Sequence, residues 1–188
     1  MTIDEMREKL KSVLSEKRFK HSIGVMETAV KMAEHYGADP EKTAIAGLLH
    51  DCAKEFSKEE FFGLCEKYNI FIDPVSRENS GLLHGFVGAE IARECYGVDD
   101  DEIYDAIYFH TVGKPDMSLM TKIIYIADVI EPGRTFEGVQ GIRDLLFEDI
   151  DKALVFQIDG TLRSLISKGV MIHTNTIDTR NFYLKKVR

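Results

Sequence analysis

Apolar residues recur at intervals of three and four along almost the whole chain. That spacing marks one face of a 3.6-residue period and commits the chain to helices, since the faces of a strand alternate every second residue. Start and stop signals agree with the period. Thr2 and Glu5 form a capping box ahead of a first helix that is expected to reach about Lys17. A second runs from about Phe19 to Tyr36, with Ile23, Met26, Val30 and Ala33 on one face and Gly37 placed to stop it. Asp39 caps a third, with Pro40 in its first turn, and this one carries Ala44 to Cys52. Ser57 and Glu60 make another capping box and open a short helix to about Tyr68, after which Asn69 to Ser80, containing Asp73-Pro74, reads as loop. Further helices are expected at about Leu83 to Tyr96, Glu102 to Thr111, Met117 to Ile130 and Ile150 to Ser167. Near the end, Thr174-Asn-Thr-Ile-Asp-Thr fits either the cap of a terminal helix or a loop that closes over a pocket. A chain of 188 residues holds one substantial core and is short for two, so the expectation is a single all-α domain, a helical bundle over residues 1–188.

Composition narrows the function. A net charge of -8 disfavours nucleic-acid backbone and anionic membranes as partners, because both call for clustered Lys and Arg. Cys52, Cys65 and Cys95 are odd in number and widely spaced, which argues against a disulfide framework and a thiolate metal site. No apolar run is long enough to span a bilayer, and the acidic Met-Thr-Ile-Asp-Glu start lacks a signal peptide's apolar stretch. The expected compartment is the cytoplasm.

The chemistry lies in polar residues placed among apolar neighbours. Four of the six histidines, His21, His50, His84 and His110, have such settings, as do Asp51 and Asp128. An ionised carboxylate buried in a helix bundle without a metal, a cation or several hydrogen bonds costs several kcal/mol or more. Imidazole with carboxylate suits iron, manganese, cobalt or zinc better than magnesium, and a bundle core gathers such ligands from facing helices. Lys54 stands three residues after Asp51, which on a helix would put it on the same face. Arg134 follows Glu131-Pro132-Gly133, a helix end close behind Asp128, where it can grip phosphate in a bidentate way. Arg18 and Arg180 are lesser phosphate candidates, while His35 and His173 read mostly as surface residues. There is no G-x-S-x-G elbow and no phosphate loop.

The order His21, His50-Asp51, His84, His110, Asp128 resembles that of the HD superfamily of metal-dependent phosphohydrolases. Its surroundings are similar to those of one branch, the symmetrical bis(5'-nucleosyl)-tetraphosphatases. The stretches that carry the likeness are Arg18-Phe-Lys-His-Ser, Gly47-Leu-Leu-His-Asp-Cys-Ala-Lys54, Leu83-His-Gly, Ile107-Tyr-Phe-His-Thr-Val-Gly113 and Ile126-Ala-Asp-Val-Ile-Glu-Pro-Gly-Arg134, with Asp178-Thr-Arg-Asn181 in the tail. The resemblance implies that His21, His50, Asp51 and Asp128 hold a first metal, usually iron, with manganese or cobalt as substitutes. Where a second ion is present, Asp51 bridges to it and His84 and His110 hold it; otherwise these two face the phosphates. Asp51 and Lys54 are then the catalytic pair, and Arg18, Lys54, His84, His110, Arg134 and Arg180 contact substrate. The implied reaction is cleavage of diadenosine tetraphosphate to two ADP, and a homodimer is a possible assembly.

Rival readings differ in class. They are an HD-type nucleotidase or deoxynucleoside triphosphate phosphohydrolase, a non-catalytic nucleotide or metal sensor, and a purely structural helical adaptor. The last would leave six polar residues in apolar settings without a shared reason. A Gly-Tyr-Pro signature is absent, and His50-Asp51-Cys52-Ala53-Lys54-Glu55 stands where alarmone hydrolases carry His-Asp-x-x-Glu-Asp.

Overall fold

The computed structural model describes residues 1–188 and consists of helices and their connections, with no strand. Eleven α-helices follow in order: α1 (Ile3–Val13), α2 (Glu16–Tyr36), α3 (Pro40–Leu49), α4 (Lys58–Lys67), α5 (Pro74–Glu78), α6 (Leu83–Tyr96), α7 (Asp101–Phe109), α8 (Leu119–Ile130), α9 (Val139–Leu146), α10 (Ile150–Ser167) and α11 (Thr174–Lys186). A single 3₁₀ turn, Ser80–Leu82, leads into α6. Capping boxes at Thr2 and Ser57 are formed, and Asp39 caps α3 by accepting from the amides of Glu41 and Lys42.

Several boundaries differ from expectation, each for a local reason. The first helix ends at Val13, short of Lys17, because Leu14 is extended and Ser15 caps α2 by accepting from the Arg18 amide. Glu55 holds that corner by accepting from the Ser15 amide at 2.7 Å. Helix α3 stops at Leu49, so His50, Asp51 and Lys54 lie beyond it in tight turns, with the Cys52 amide on the Leu49 carbonyl at 3.0 Å and the Lys54 amide on that of Asp51 at 2.9 Å. Helix α7 likewise ends at Phe109, and His110 is its C-cap. The expected loop Asn69 to Ser80 contains α5, capped by Asp73 with Pro74 in the first turn. Helix α9 was not expected; it buries Val139, Ile142 and Leu146 on one face. The terminal segment is helical, and His173 is its N-cap.

Helix α2 packs against α3 and α8, and α7 against α3, α6 and α8, so five elements surround one region. A cluster of 43 buried apolar residues runs through the molecule from Met6 in α1 to Tyr183 in α11. Two glycines allow helix backbones to approach closely. A Cβ on Gly47 would stand 2.9 Å from the Met26 Cα, and one on Gly85 would stand 3.0 Å from the Tyr108 carbonyl oxygen. The α2–α3 and α6–α7 backbones therefore meet beside His50 and His84. Helix propensity favours alanine over glycine by about 1 kcal/mol, whereas a methyl forced against fixed backbone costs about 1–3 kcal/mol. Gly47→Ala should accordingly lower the stability by up to about 2 kcal/mol, measured as a shift of the urea midpoint at constant slope. A gain in stability would contradict the close packing of α2 on α3.

Candidate active site

The six residues singled out by their apolar settings meet at one place. His21 comes from α2, His50 and Asp51 from the turn after α3, His84 from the first turn of α6, His110 from the end of α7 and Asp128 from the last turn of α8. His50, Asp51, His84 and His110 are buried. Asp128 has the most apolar sequence neighbours, yet it is the more open carboxylate, with 23% of its side chain exposed against 3% for Asp51. The last turn of α8 turns it toward the mouth of the site.

Each imidazole is held from behind through Nδ1. His50 Nδ1 lies 2.8 Å from the Gly47 carbonyl, His110 Nδ1 2.7 Å from that of Ile107, and His84 Nδ1 bonds to that of Gly81, three residues back in every case. His21 Nδ1 faces the Glu131 carboxylate at 3.2 Å. A ring that donates from Nδ1 presents a bare lone pair at Nε2, and the Nε2 atoms converge. His84 and His110 approach to 2.9 Å and His21 and His50 to 3.3 Å, while His21 Nε2 stands 2.9 Å from Asp128 Oδ1. The wholly buried His50 Nε2 meets only acceptors: His21, Asp51 Oδ2 at 3.5 Å and Asp128 Oδ1 at 3.8 Å. Such an arrangement calls for a cation at its centre, and the residues fit a divalent metal.

Asp51 divides the cluster in two. Its Oδ2 faces His21 at 3.7 Å and His50 at 3.5 Å, and its Oδ1 faces His84 at 3.1 Å and His110 at 3.8 Å. Three overlapping sets have metal-ligand spacing: His21, His50 and Asp51; His50, His110 and Asp128; Asp51, His84 and His110.

Cations close the rim. Arg18 Nη1 donates to Asp51 Oδ2 at 2.7 Å, and Arg134 Nη2 donates to Asp128 Oδ1 at 2.6 Å. Lys54 Nζ lies 3.9 Å from Asp51 Oδ1 and 3.1 Å from His84 Nε2, so the pairing expected on a helix is achieved by a turn. Burial lowers the Lys54 ammonium below its ordinary value, against the pull of Asp51 and Asp128, and Arg18 and Arg134 add to the shift. Burial pushes the imidazoles of His50 and His84 down to about 4. For Asp51, burial opposes ionisation, but His50, His110 and His84 outweigh it and hold the carboxyl well below its usual range. Asp128 is held down against the same penalty, chiefly by the close approach of His21 and by His50 and His110.

A family model described as the HD domain matches residues 18–133. The chain belongs to the HD-domain family. Along nearly its full length it is 39% identical to a symmetrical bis(5'-nucleosyl)-tetraphosphatase of Staphylococcus aureus, over 97% of this chain and 95% of that one. It is also 39% identical to the enzyme of the same name from Bacillus subtilis, over 92% of each. The crystal structure of a protein described as a predicted HD superfamily hydrolase involved in NAD metabolism, from Clostridium acetobutylicum, matches with a TM-score of 0.96 and 45% identity over 99% of this chain and 98% of that one.

Within this HD fold the remaining expected residues fall apart. Arg180 pairs with Asp159 on α10 at 2.8 Å and has no bond to the cluster. His35 is exposed, as expected. His173 is not a surface residue: only 10% of its side chain is exposed, because it caps α11 and faces Asp73 at 3.3 Å. Two neighbours of the cluster escaped the sequence analysis. Thr111 places its hydroxyl 3.2 Å from His84 Nε2, and Glu131 stands behind His21. Thr111 follows His110 directly, but nothing in the sequence separates it from an ordinary helix-end threonine.

The histidine shifts carry a sign for stability. A group whose folded pKa is about 4 and whose ordinary value is 6.5 binds more protons when unfolded, so its contribution is complete above about pH 6.5 and is lost as the pH falls toward 4. The lowered carboxylates add a loss of the same sign below their ordinary value of 3.8. Thermal unfolding of the metal-free protein should therefore show Tm falling by roughly 5 °C or more between pH 6.5 and 4.5. A Tm that rises over this interval would contradict the burial of neutral imidazoles.

Proposed function

We propose that this chain, acting as one domain in the cytoplasm, is a metal-dependent hydrolase that cleaves diadenosine tetraphosphate at its centre to give two ADP. The observation that carries this reading is Asp51, whose two oxygens face separate sets of histidines while Arg18, Lys54 and Arg134 close on the carboxylates from the rim. The likeness to two symmetrical tetraphosphatases over more than nine-tenths of each chain supports the substrate. His21, His50, Asp51 and Asp128 are the proposed holders of a first metal, and Asp51, His84 and His110 of a second. Iron suits this mixed imidazole and carboxylate set, with manganese or cobalt as substitutes. When bound, such an ion polarises phosphoryl oxygens and lowers the pKa of a water so that hydroxide forms near neutral pH.

The chain's own side chains do the rest. Lys54 and Arg134 form a local positive field in a protein of net charge -8, which lets a polyphosphate approach where the general surface would repel it. Arg134 can turn its fork from Asp128 to a phosphate in a bidentate contact, and Lys54 supplies a compact charge against the leaving ADP. Arg18 neutralises the Asp51 edge of the same surface, and Arg180, paired with Asp159, is proposed as a further contact. The nucleosides need space beyond the phosphates, and a groove of about 870 Å³ bordered by Arg134, Phe136, Phe156, Arg163 and Lys168 opens on the Arg134 side. The partner is thus a small nucleotide, with neither nucleic acid nor membrane. No helix is long and apolar enough to cross a membrane. A homodimer is part of the same proposal.

Product analysis by chromatography tests the reaction. Diadenosine tetraphosphate with iron, manganese or cobalt supplied should yield ADP alone, and Lys54→Ala and Arg134→Ala should each lower kcat/KM by about tenfold or more, at least ~1.4 kcal/mol, with metal content retained. Equal amounts of ATP and AMP would contradict central cleavage. Activity within about twofold of wild type would return both cations to the solvated surface.

A further inference from the structure

Glu131 lies between the end of α8 and Pro132-Gly133, where an acid is ordinarily solvated. Here it is buried, and its carboxylate occupies a slot walled by two glycines. A Cβ on Gly24 would stand 2.8 Å from Glu131 Oε2, and one on Gly133 would stand 2.9 Å from Oε1. A buried carboxylate needs partners. Oε2 accepts from the Gly133 amide at 2.6 Å, and Oε1 faces His21 Nδ1 at 3.2 Å. The surrounding backbone is braced by Arg143 of α9, whose guanidinium donates to the carbonyls of Ile130 at 2.9 Å, Glu131 at 3.1 Å and Arg134 at 3.0 Å.

His21 needs this partner because of where it sits. The other three rings lie at helix ends or beside a 3₁₀ turn, where a carbonyl three residues back is free to accept their Nδ1 proton. His21 is in the second turn of a long helix, where the ladder uses those carbonyls. The partner its Nδ1 has is a side chain from outside the helix, Glu131.

We propose that Glu131 is the positioning residue for His21. It accepts the Nδ1 proton and so holds the tautomer whose Nε2 lone pair faces Asp128 and Asp51, with Arg143 and the two glycines keeping the carboxylate in place. A carboxylate in that role also raises the basicity of the ring more than a carbonyl does. This inference rests on the reading of His21 as a metal ligand.

The test uses full-length metal-free protein titrated with cobalt(II), followed by absorption, and ¹⁵N spectra of the imidazoles. In Glu131→Gln the shape is kept, but one oxygen must serve both His21 and the Gly133 amide; in Glu131→Ala neither is served. Both variants should bind cobalt(II) about 10–100-fold more weakly, and His21, protonated at Nδ1 in the wild type, should shift toward the Nε2-protonated form. Should the alanine variant fail to fold, the isosteric glutamine variant and the wild-type spectrum decide. Finding His21 protonated at Nε2 in the wild type overturns the proposal, as does cobalt(II) affinity within about twofold of wild type in a folded Glu131→Gln variant. His21→Ala separates the two readings. If it weakens cobalt(II) binding while the Glu131 variants do not, only the positioning role fails; if it leaves binding unchanged, the ligand assignment fails and this inference with it.

Discussion

The buried Nε2 of His50, ringed by His21 Nε2 and the oxygens of Asp51 and Asp128, gathers electron-rich groups at the centre of five packed elements. Leaving such a group without a partner costs free energy that a bundle of this size can ill spare, so the arrangement makes physical sense as a receptacle for a cation. The places the histidines occupy follow from the same demand. A ring can offer Nε2 inward only if something accepts the proton on Nδ1. Free acceptors occur where helices end, which is where His50 and His110 stand, and the turn before α6 supplies the acceptor for His84. The close approach of α2 to α3 at Gly47, and of α6 to α7 at Gly85, then brings rings from different helices within about 3 Å of one another.

Charge is distributed on two scales. The protein as a whole is acidic, yet three cations converge on the two carboxylates of the site, from the start of α2, the turn after Asp51 and the loop after α8. A net-negative surface repels anions, and the cations gathered at the rim are where the proposed substrate would be met. Arg134 connects the two halves of this design, since the same side chain touches Asp128 and borders the groove along α10. Its loop is braced by Arg143, so the short helix α9, which contributes nothing directly to the cluster, supports the backbone of the proposed phosphate-binding residue.

The helical architecture was legible because capping chemistry is local: Thr2, Asp39 and Ser57 each announce a helix from within four residues of sequence. What sequence alone misplaces is decided by contacts at longer range. Ser15 looks like the interior of a first helix until Glu55, 40 residues away, is seen to hold it at a corner. Helix α9 has an apolar face at Val139, Ile142 and Leu146, but its N-cap is a glycine in the left-handed region with no capping side chain, so no start signal marks it. The metal-binding candidates were legible as a set, through six polar residues that share apolar settings. Their geometry was not: Asp128 has the most apolar neighbours and is the more exposed carboxylate, and His173, read mostly as a surface residue, is largely buried beside Asp73 and the start of α11. Glu131 could not have been singled out, because the glycine that lets it reach His21 lies in another helix.

The central claim is that the buried imidazoles and carboxylates bind a transition metal, and X-ray absorption at the edge of the metal carried by the purified protein tests it most directly. The account predicts a first shell of nitrogen and oxygen only, with the outer scattering of imidazole and no sulfur, since Cys52 directs its thiol to the Gly88 carbonyl. A sulfur shell near ~2.3 Å, or an oxygen-only shell without imidazole, would contradict it.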